Sequence, residues 1–107
     1  MELDVTDENF ESEVIEKSKT IPVLVDFWAS WCGPCMTLKP ILQKVAKDLD
    51  DKFILAKAST DVNQTMASKF GVMSIPSVKL FKNGKVVDEF IGAQPEESIR
   101  NWLNQKL

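Results

Sequence analysis

The chain has 107 residues, of which 44% are hydrophobic and 27% charged, with only 4 Gly and 5 Pro, the composition of a globular protein and not of a disordered or fibrous one. Area scaling gives about 17,500 Å² exposed when unfolded against about 6,000 Å² folded, so a core can form with no metal or disulfide staple. The net charge of -3 argues against nucleic acid as a partner, because such binding draws on clustered Lys and Arg.

The opening "MELDVTDENFESE" is acidic from its second residue, whereas a secretory leader starts basic and continues apolar. No run reaches the length of a membrane span. The expectation is one cytoplasmic domain over residues 1–107, with no membrane and no nucleic acid among its partners. In a reducing compartment the two cysteines are expected to be reactive or metal-binding before they are structural.

Helix one is expected to open at Thr6, with Asp7 and Glu8 in its first turn and Phe10, Val14 and Ile15 on one face. Space remains for a short strand before it. Pro22 to Ala29 is apolar on both alternating faces except at Asp26, the pattern of a strand covered on both sides by helices. A second helix is expected from Pro34, a residue suited to a first helical position, to Leu49. The interior Pro40 should kink it. Lys52 to Ala58 reads as a further buried strand, and "NQTMASKFG" as a helix closed by Gly71. "PSVKLFKNGKVVDEFIG" reads as an antiparallel hairpin about Asn83-Gly84, since both central residues of a tight hairpin turn need positive φ. The tail "QPEESIRNWLNQKL" has Pro95 and two glutamates at a helix start, Ile99, Trp102 and Leu103 on one face, and Lys106 at its end. Helix one followed by βαβαββα, with right-handed parallel crossovers, predicts an α/β fold: a central mixed sheet with helices on both faces.

Cys32-Gly33-Pro34-Cys35 follows a strand and opens a helix. Its first sulfur should therefore lie near unpaired helix N–H groups and the positive end of the helix dipole, which favours a thiolate. A fall in thiol pKa from about 8.5 to about 7, a value such motifs reach, raises the thiolate fraction at pH 7 about 16-fold. The less basic thiolate is about fivefold less nucleophilic, leaving a net gain of about threefold. Attack rate alone does not explain the motif, so the second cysteine should matter through fast intramolecular resolution of a mixed disulfide. Three other readings compete. A structural disulfide closing so short a loop is worth only about 1.9 kcal/mol. Half a zinc site is poorly served by a chain with two cysteines and no histidine. Inert buried thiols fit poorly with a Trp-Cys-Gly-Pro turn at a helix start.

"WCGPC" after "VLVDFWA", with "SIPSVKLFKNGK" and "FIGA" later in the same order, resembles the thioredoxin family over essentially the whole chain. The resemblance implies the thioredoxin fold, a central mixed sheet flanked by four helices, and reversible dithiol–disulfide exchange with protein substrates. Cys32 would then be the nucleophile and Cys35 the resolving thiol. Asp26, desolvated in its strand and so raised in pKa, would act through water as proton acceptor and donor for Cys35. An aspartate merely reaching a partner at the sheet margin is the plainer reading. Lys57 matches the family lysine that tunes this aspartate, though an exposed strand lysine would need no such role. Pro76 matches the family's cis-proline facing the cysteines, leaving the Ile75 backbone open to an extended substrate segment, the strand-addition mode of peptide recognition. Trp31, Gly33, Pro34, Ile75, Pro76, Ile91, Gly92 and Ala93 match the apolar surface around the reactive sulfur, and exposed apolar area is expected of a protein that docks many partners. Trp28 reads as a packing residue beneath the site and Trp102 as an anchor of the last helix.

Four positions depart from the common pattern. Met36 stands where a basic residue is frequent, Lys39 precedes Pro40 where a small residue is usual, Thr60 replaces an aliphatic groove residue, and Ser77 replaces threonine. None removes a reacting group, and all bear on partner choice and redox potential. The functional expectation is a monomeric protein-disulfide reductase with no bound cofactor beyond its redox-active Cys32–Cys35 disulfide, recycled by a thioredoxin reductase. A more oxidising relative of the same fold, or an adaptor whose exchange chemistry is incidental, are the alternatives.

Overall fold

The apolar run after Ile21 becomes the central strand of a five-stranded sheet. The computed structural model describes residues 1–107. Its strands are β1 (Glu2–Asp4), β2 (Val23–Trp28), β3 (Ile54–Ser59), β4 (Ser77–Lys82) and β5 (Lys85–Ile91), in the spatial order β1-β3-β2-β4-β5. β3 runs parallel to both β1 and β2, whereas β4 is antiparallel to β2 and to β5. The helices are α1 (Glu11–Glu16 continued by Lys17–Lys19), α2 (Gly33–Asp48), α3 (Gln64–Lys69) and α4 (Glu96–Lys106). The mixed sheet with four helices is thus the expected thioredoxin architecture.

Side chains alternate across a strand, so β2 supplies two cores. Val23, Val25 and Phe27 pack with Phe10 and Val14 and with Ala67 of α3. Leu24 packs on the other face with Leu38, Leu42 and Val45 of α2 and with Ile99 and Leu103 of α4. Each such side chain contributes roughly 1.5–3 kcal/mol by leaving water. Asp26 shares the parity of Leu24 and therefore lies under α2. Lys57 shares the parity of Leu55 and stands beside Asp26 in the parallel register.

Helix one differs from expectation in its winding. Thr6 and Asn9 do form a reciprocal cap, the Thr6 N–H donating to Asn9 Oδ1 at 2.7 Å and the Asn9 N–H to Thr6 Oγ1 at 3.3 Å. The helix itself is wide over Glu11–Glu16, then tightens to a 3-10 turn over Lys17–Lys19. Asp7 does not serve its own helix. Its carboxylate accepts from the Thr65 and Met66 N–H groups, at 3.3 and 3.0 Å, and so caps α3 instead. The buried Asn63 completes this link, accepting from the Asp7 N–H at 2.9 Å and donating to the Val5 carbonyl at 3.3 Å.

β3 starts at Ile54, not Lys52, because the Lys52 N–H donates to the Leu49 carbonyl and closes the turn after α2. Pro40 lies inside α2 on an exposed face. The hairpin turns where expected, with φ 54° at Asn83 and 80° at Gly84. Buried Ser18 ties its tip to α1. The Ser18 carbonyl accepts from the Asn83 N–H and its hydroxyl oxygen from the Gly84 N–H, each at 2.8 Å, while the hydroxyl donates to the Ile15 carbonyl at 2.7 Å.

Candidate active site

Cys32 is the N-cap residue of α2, in extended conformation (φ -93°, ψ 107°), and its sulfur accepts from the Cys35 N–H at 3.2 Å. The two cysteines are joined in a disulfide with Cα atoms 5.2 Å apart. Pro34 occupies the second helical position, one later than expected, because the helix already begins at Gly33. Gly33 has neither a positive φ nor a neighbour crowding its Cβ direction, so the turn does not demand glycine sterically. The two residues are not equivalent: Cys32 is 5% exposed and Cys35 0%. Cys32 alone keeps any exposed surface, and it alone sits at the cap, where unpaired N–H groups and the helix dipole stabilise negative charge.

Two residues before Trp28, on the side of β2 that faces α2, Asp26 is 1% exposed, with Oδ1 lacking any hydrogen-bond partner in the protein. Burial pushes its pKa from 3.8 to about 7, against the opposing pull of the Lys39 charge first and the Lys57 charge second. A carboxyl group so placed exchanges its proton near neutrality. Lys57 is the Cα partner of Asp26, but its ammonium is taken up by Glu2 at 2.7 Å and Asp4 at 3.5 Å. Burial disfavours that ammonium, yet the hydrogen bond to Glu2 and the two carboxylate charges outweigh it and raise the Lys57 pKa. Trp28 packs with Ala29, Cys32, Cys35 and Ile75, as a floor for the disulfide.

Facing Cys32 is the Ile75–Pro76 segment, joined by a cis peptide bond, with the Ile75 carbonyl oxygen 3.8 Å from the Cys32 sulfur. The Gly92 N–H donates to the Pro76 carbonyl at 2.8 Å, which brings Ile91, Gly92 and Ala93 to the same rim. Gly92 has φ 88°, a conformation that favours glycine. Trp31 is 74% exposed, and its indole N–H donates to Asp61 at 3.1 Å. Asp61 also accepts from the backbone N–H and hydroxyl of Ser30, at 3.3 and 3.2 Å. A groove of about 360 Å³ runs beside Trp31 and Ile75 and is walled by Thr60, Val72 and Met73.

Cys32, Cys35, Ile75, Pro76 and Gly92 thus meet beyond the carboxyl end of β2, whereas Asp26 and Lys57 lie mid-strand and the Lys57 ammonium is drawn toward β1. Asp61, Val72 and Met73 were not singled out from sequence. Asp61 follows the carboxyl end of β3, the place where α/β sheets carry their sites, and that signal was available. Met73, at 95% exposure, carries no sequence pattern that marks it. No group of three or more His, Cys, Asp or Glu is placed to hold a metal ion, and no helix is long and apolar enough to cross a membrane.

A cysteine capping a helix, disulfide-bonded to a fully buried partner one turn on, with a buried carboxyl group on the same mixed sheet, defines a thiol-disulfide oxidoreductase. The family model described as thioredoxin matches residues 2–105. The chain is 44% identical to the thioredoxin of Rickettsia bellii over 107 residues, covering 100% of both chains. It is 43% identical to the thioredoxin of Chlorobaculum thiosulfatiphilum, covering 97% of this chain and 94% of that one. With thioredoxin 1 of Synechococcus elongatus the identity is 45%, over 96% of this chain and 94% of the relative. The chain belongs to the thioredoxin family, and its Cys32–Cys35 pair is the redox-active disulfide.

Proposed function

We propose that residues 1–107 form one thioredoxin domain acting as a monomeric cytoplasmic protein-disulfide reductase without a bound cofactor, an electron carrier between a thioredoxin reductase and disulfide-containing target proteins. The unequal exposure of the two cysteines, 5% against 0%, carries this reading. In the dithiol form the Cys32 thiolate attacks one sulfur of the target disulfide, forms a mixed disulfide and expels the other target sulfur as thiolate, which takes up a proton. Asp26 receives the Cys35 proton, directly or through water. The Cys35 thiolate then attacks the Cys32 sulfur and expels the second target sulfur. Two electrons pass to the target, and Cys32–Cys35 becomes the disulfide that the reductase restores.

Target docking falls to the apolar rim. Trp31, Ile75, Ile91 and Ala93 offer side-chain contact, while Gly33, Pro34, Pro76 and Gly92 keep the approach to Cys32 low. An extended segment laid along Ile75 would pair backbone to backbone. Lys57 supplies positive charge beside Asp26.

The reduction potential of the pair, read by thiol alkylation across dithiothreitol buffers, tests the direction of flow. A value at or below the cytosolic glutathione poise supports a reductant, and one far above it refutes the reading in favour of an oxidant or isomerase. A Cys32→Ser, Cys35→Ser double variant separates the reductase from an adaptor. Loss of function in the cell fits the former, retention the latter.

A further inference from the structure

Lys39 takes part in neither the exchange steps nor the docking rim, yet its charge acts on Asp26. It follows Cys35 by four residues on α2, and residues so spaced share one helix face. Its ammonium lies 4.5 Å from the centre of the Trp28 ring, close enough for attraction to the indole face. Trp28 in turn follows Asp26 by two residues on β2, hence on the same face of the sheet. A helix row, Cys35 and Lys39, thus meets a strand row, Asp26 and Trp28, in one layer between α2 and the sheet.

The neighbours of Asp26 single out this lysine. β4 brings the uncharged Val78 opposite Asp26, and α4 contributes the apolar Ile99 and Leu103 to the core on that face. β3 brings Lys57, but β1 holds it through Glu2 and Asp4, and Glu2 is anchored in turn by Gln43 Nε2 at 2.6 Å. Their negative charges offset the Lys57 charge as Asp26 experiences it. Lys39 has no carboxylate within ion-pair distance; all nine ion pairs involve other groups. Of the two lysine charges, that of Lys39 acts more strongly on Asp26.

We propose that Lys39, seated on the Trp28 ring, is the positioning residue that keeps Asp26 available as the base for Cys35, while Lys57 chiefly fastens β1 to the sheet. This rests on the reading of Asp26 as proton acceptor for Cys35. Lys39 touches neither sulfur in this scheme. It acts through the carboxylate alone, lowering the energy of the ionised form that Cys35 needs; its charge also reaches Glu2, but only at long range, with no ion pair formed.

The test is an NMR titration of the Asp26 side-chain carboxyl carbon in the full-length oxidised protein, where neither cysteine titrates, in wild type, Lys39→Met, Lys39→Arg and Lys57→Met. It is paired with the single-turnover rate of target release from a mixed disulfide on Cys32. Lys39→Met should move the Asp26 midpoint up by about one pH unit, Lys57→Met by clearly less, and Lys39→Arg should restore it. From a starting value of about 7, that shift leaves about fivefold less ionised carboxylate at pH 7, and target release should slow in proportion and recover in alkali. A purely structural role for Lys39 would not move the midpoint. An unmoved midpoint in Lys39→Met, or an equal or larger movement in Lys57→Met, overturns the assignment. If the midpoint moves as expected but Asp26→Asn releases target at the wild-type rate, what fails is the reading of Asp26 as base, and with it the catalytic sense of the proposal.

Discussion

Replacing Asp26 by Asn removes the buried acid at nearly constant shape, and the pH dependence of stability reports what the acid does. In the folded protein the carboxyl pKa is pushed from 3.8 to about 7 by burial, with Lys39 and Lys57 pulling the other way. Below pH 3.8 both folded and unfolded chains hold the proton, and Asp26 contributes no pH dependence. Between 3.8 and 7 only the folded chain holds it, so stability falls as pH rises, by about 1.4 kcal/mol per unit. Above 7 both forms are ionised and the loss is complete, at about 4 kcal/mol over the whole interval. Asn at this position does not titrate. The stability of Asp26→Asn relative to wild type should therefore rise by about 4 kcal/mol between pH 4 and pH 8. Guanidinium unfolding of the oxidised proteins, followed by circular dichroism at several pH values, measures it. The comparison across pH cancels the fixed cost of burying an amide and the titration of every other group. Parallel stability curves for the two proteins would refute the argument, because they would place the folded Asp26 pKa near its unfolded value.

Three further outcomes follow from the geometry. Lys79, with its side chain 6% exposed, meets Glu89 at 2.8 Å; Glu89→Ala should cost up to about 3 kcal/mol by stranding a buried ammonium, whereas adding Lys79→Met to it should recover most of that loss in denaturant titrations. Ser18→Ala leaves the Gly84 N–H without its partner and should lower unfolding stability by about 1–3 kcal/mol while leaving the reduction potential unchanged. Asp61→Ala frees the Trp31 indole and the Ser30 backbone, so KM for a protein disulfide should rise with kcat little altered. Combining it with Trp31→Ala should add little, since both changes remove the same docking surface.

The features legible in the sequence were those with a local cause. A strand apolar on both faces announces helices on both sides, Asn83-Gly84 announces a hairpin, and a Cys-Gly-Pro-Cys turn between strand and helix announces a capped sulfur. Asp26 was conspicuous because charge in such a strand has no plain structural excuse. What escaped was set by groups far apart in the chain. Asp7 has the composition of a first-turn acid in its own helix, and nothing local says that it caps α3, 58 and 59 residues on. Apolar periodicity gave the buried face of α1 but not its wide winding, since Phe10 and Val14 reach the core either way. The family resemblance pairs Lys57 with Asp26 and the register agrees, but nothing local in the short β1 says that Glu2 and Asp4 claim its charge. Lys39 looked like a departure from pattern. Its meaning depends on a crossing of α2 over β2 that periodicity does not describe.

The same crossing explains why an acid is kept at position 26 and nowhere else on β2. Val25 and Phe27 face the core that holds Phe10 and Val14, so an acid at either position would be buried on the side of the sheet away from Cys35. Leu24 faces α2, but packs among Leu38, Leu42 and Val45, one to three turns beyond the cysteines. Trp28 lies level with the disulfide and forms its floor, where a small acid would leave a cavity. Position 26 alone combines the correct face with a level close to Cys35. A penalty of about 4 kcal/mol at neutral pH is a large share of the 5–15 kcal/mol by which domains are typically stable. Two apolar cores, one on each face of the sheet, make that penalty tolerable. Replacing the acid should therefore stabilise the fold as it slows the chemistry, the opposition expected of a residue retained for function at the expense of stability.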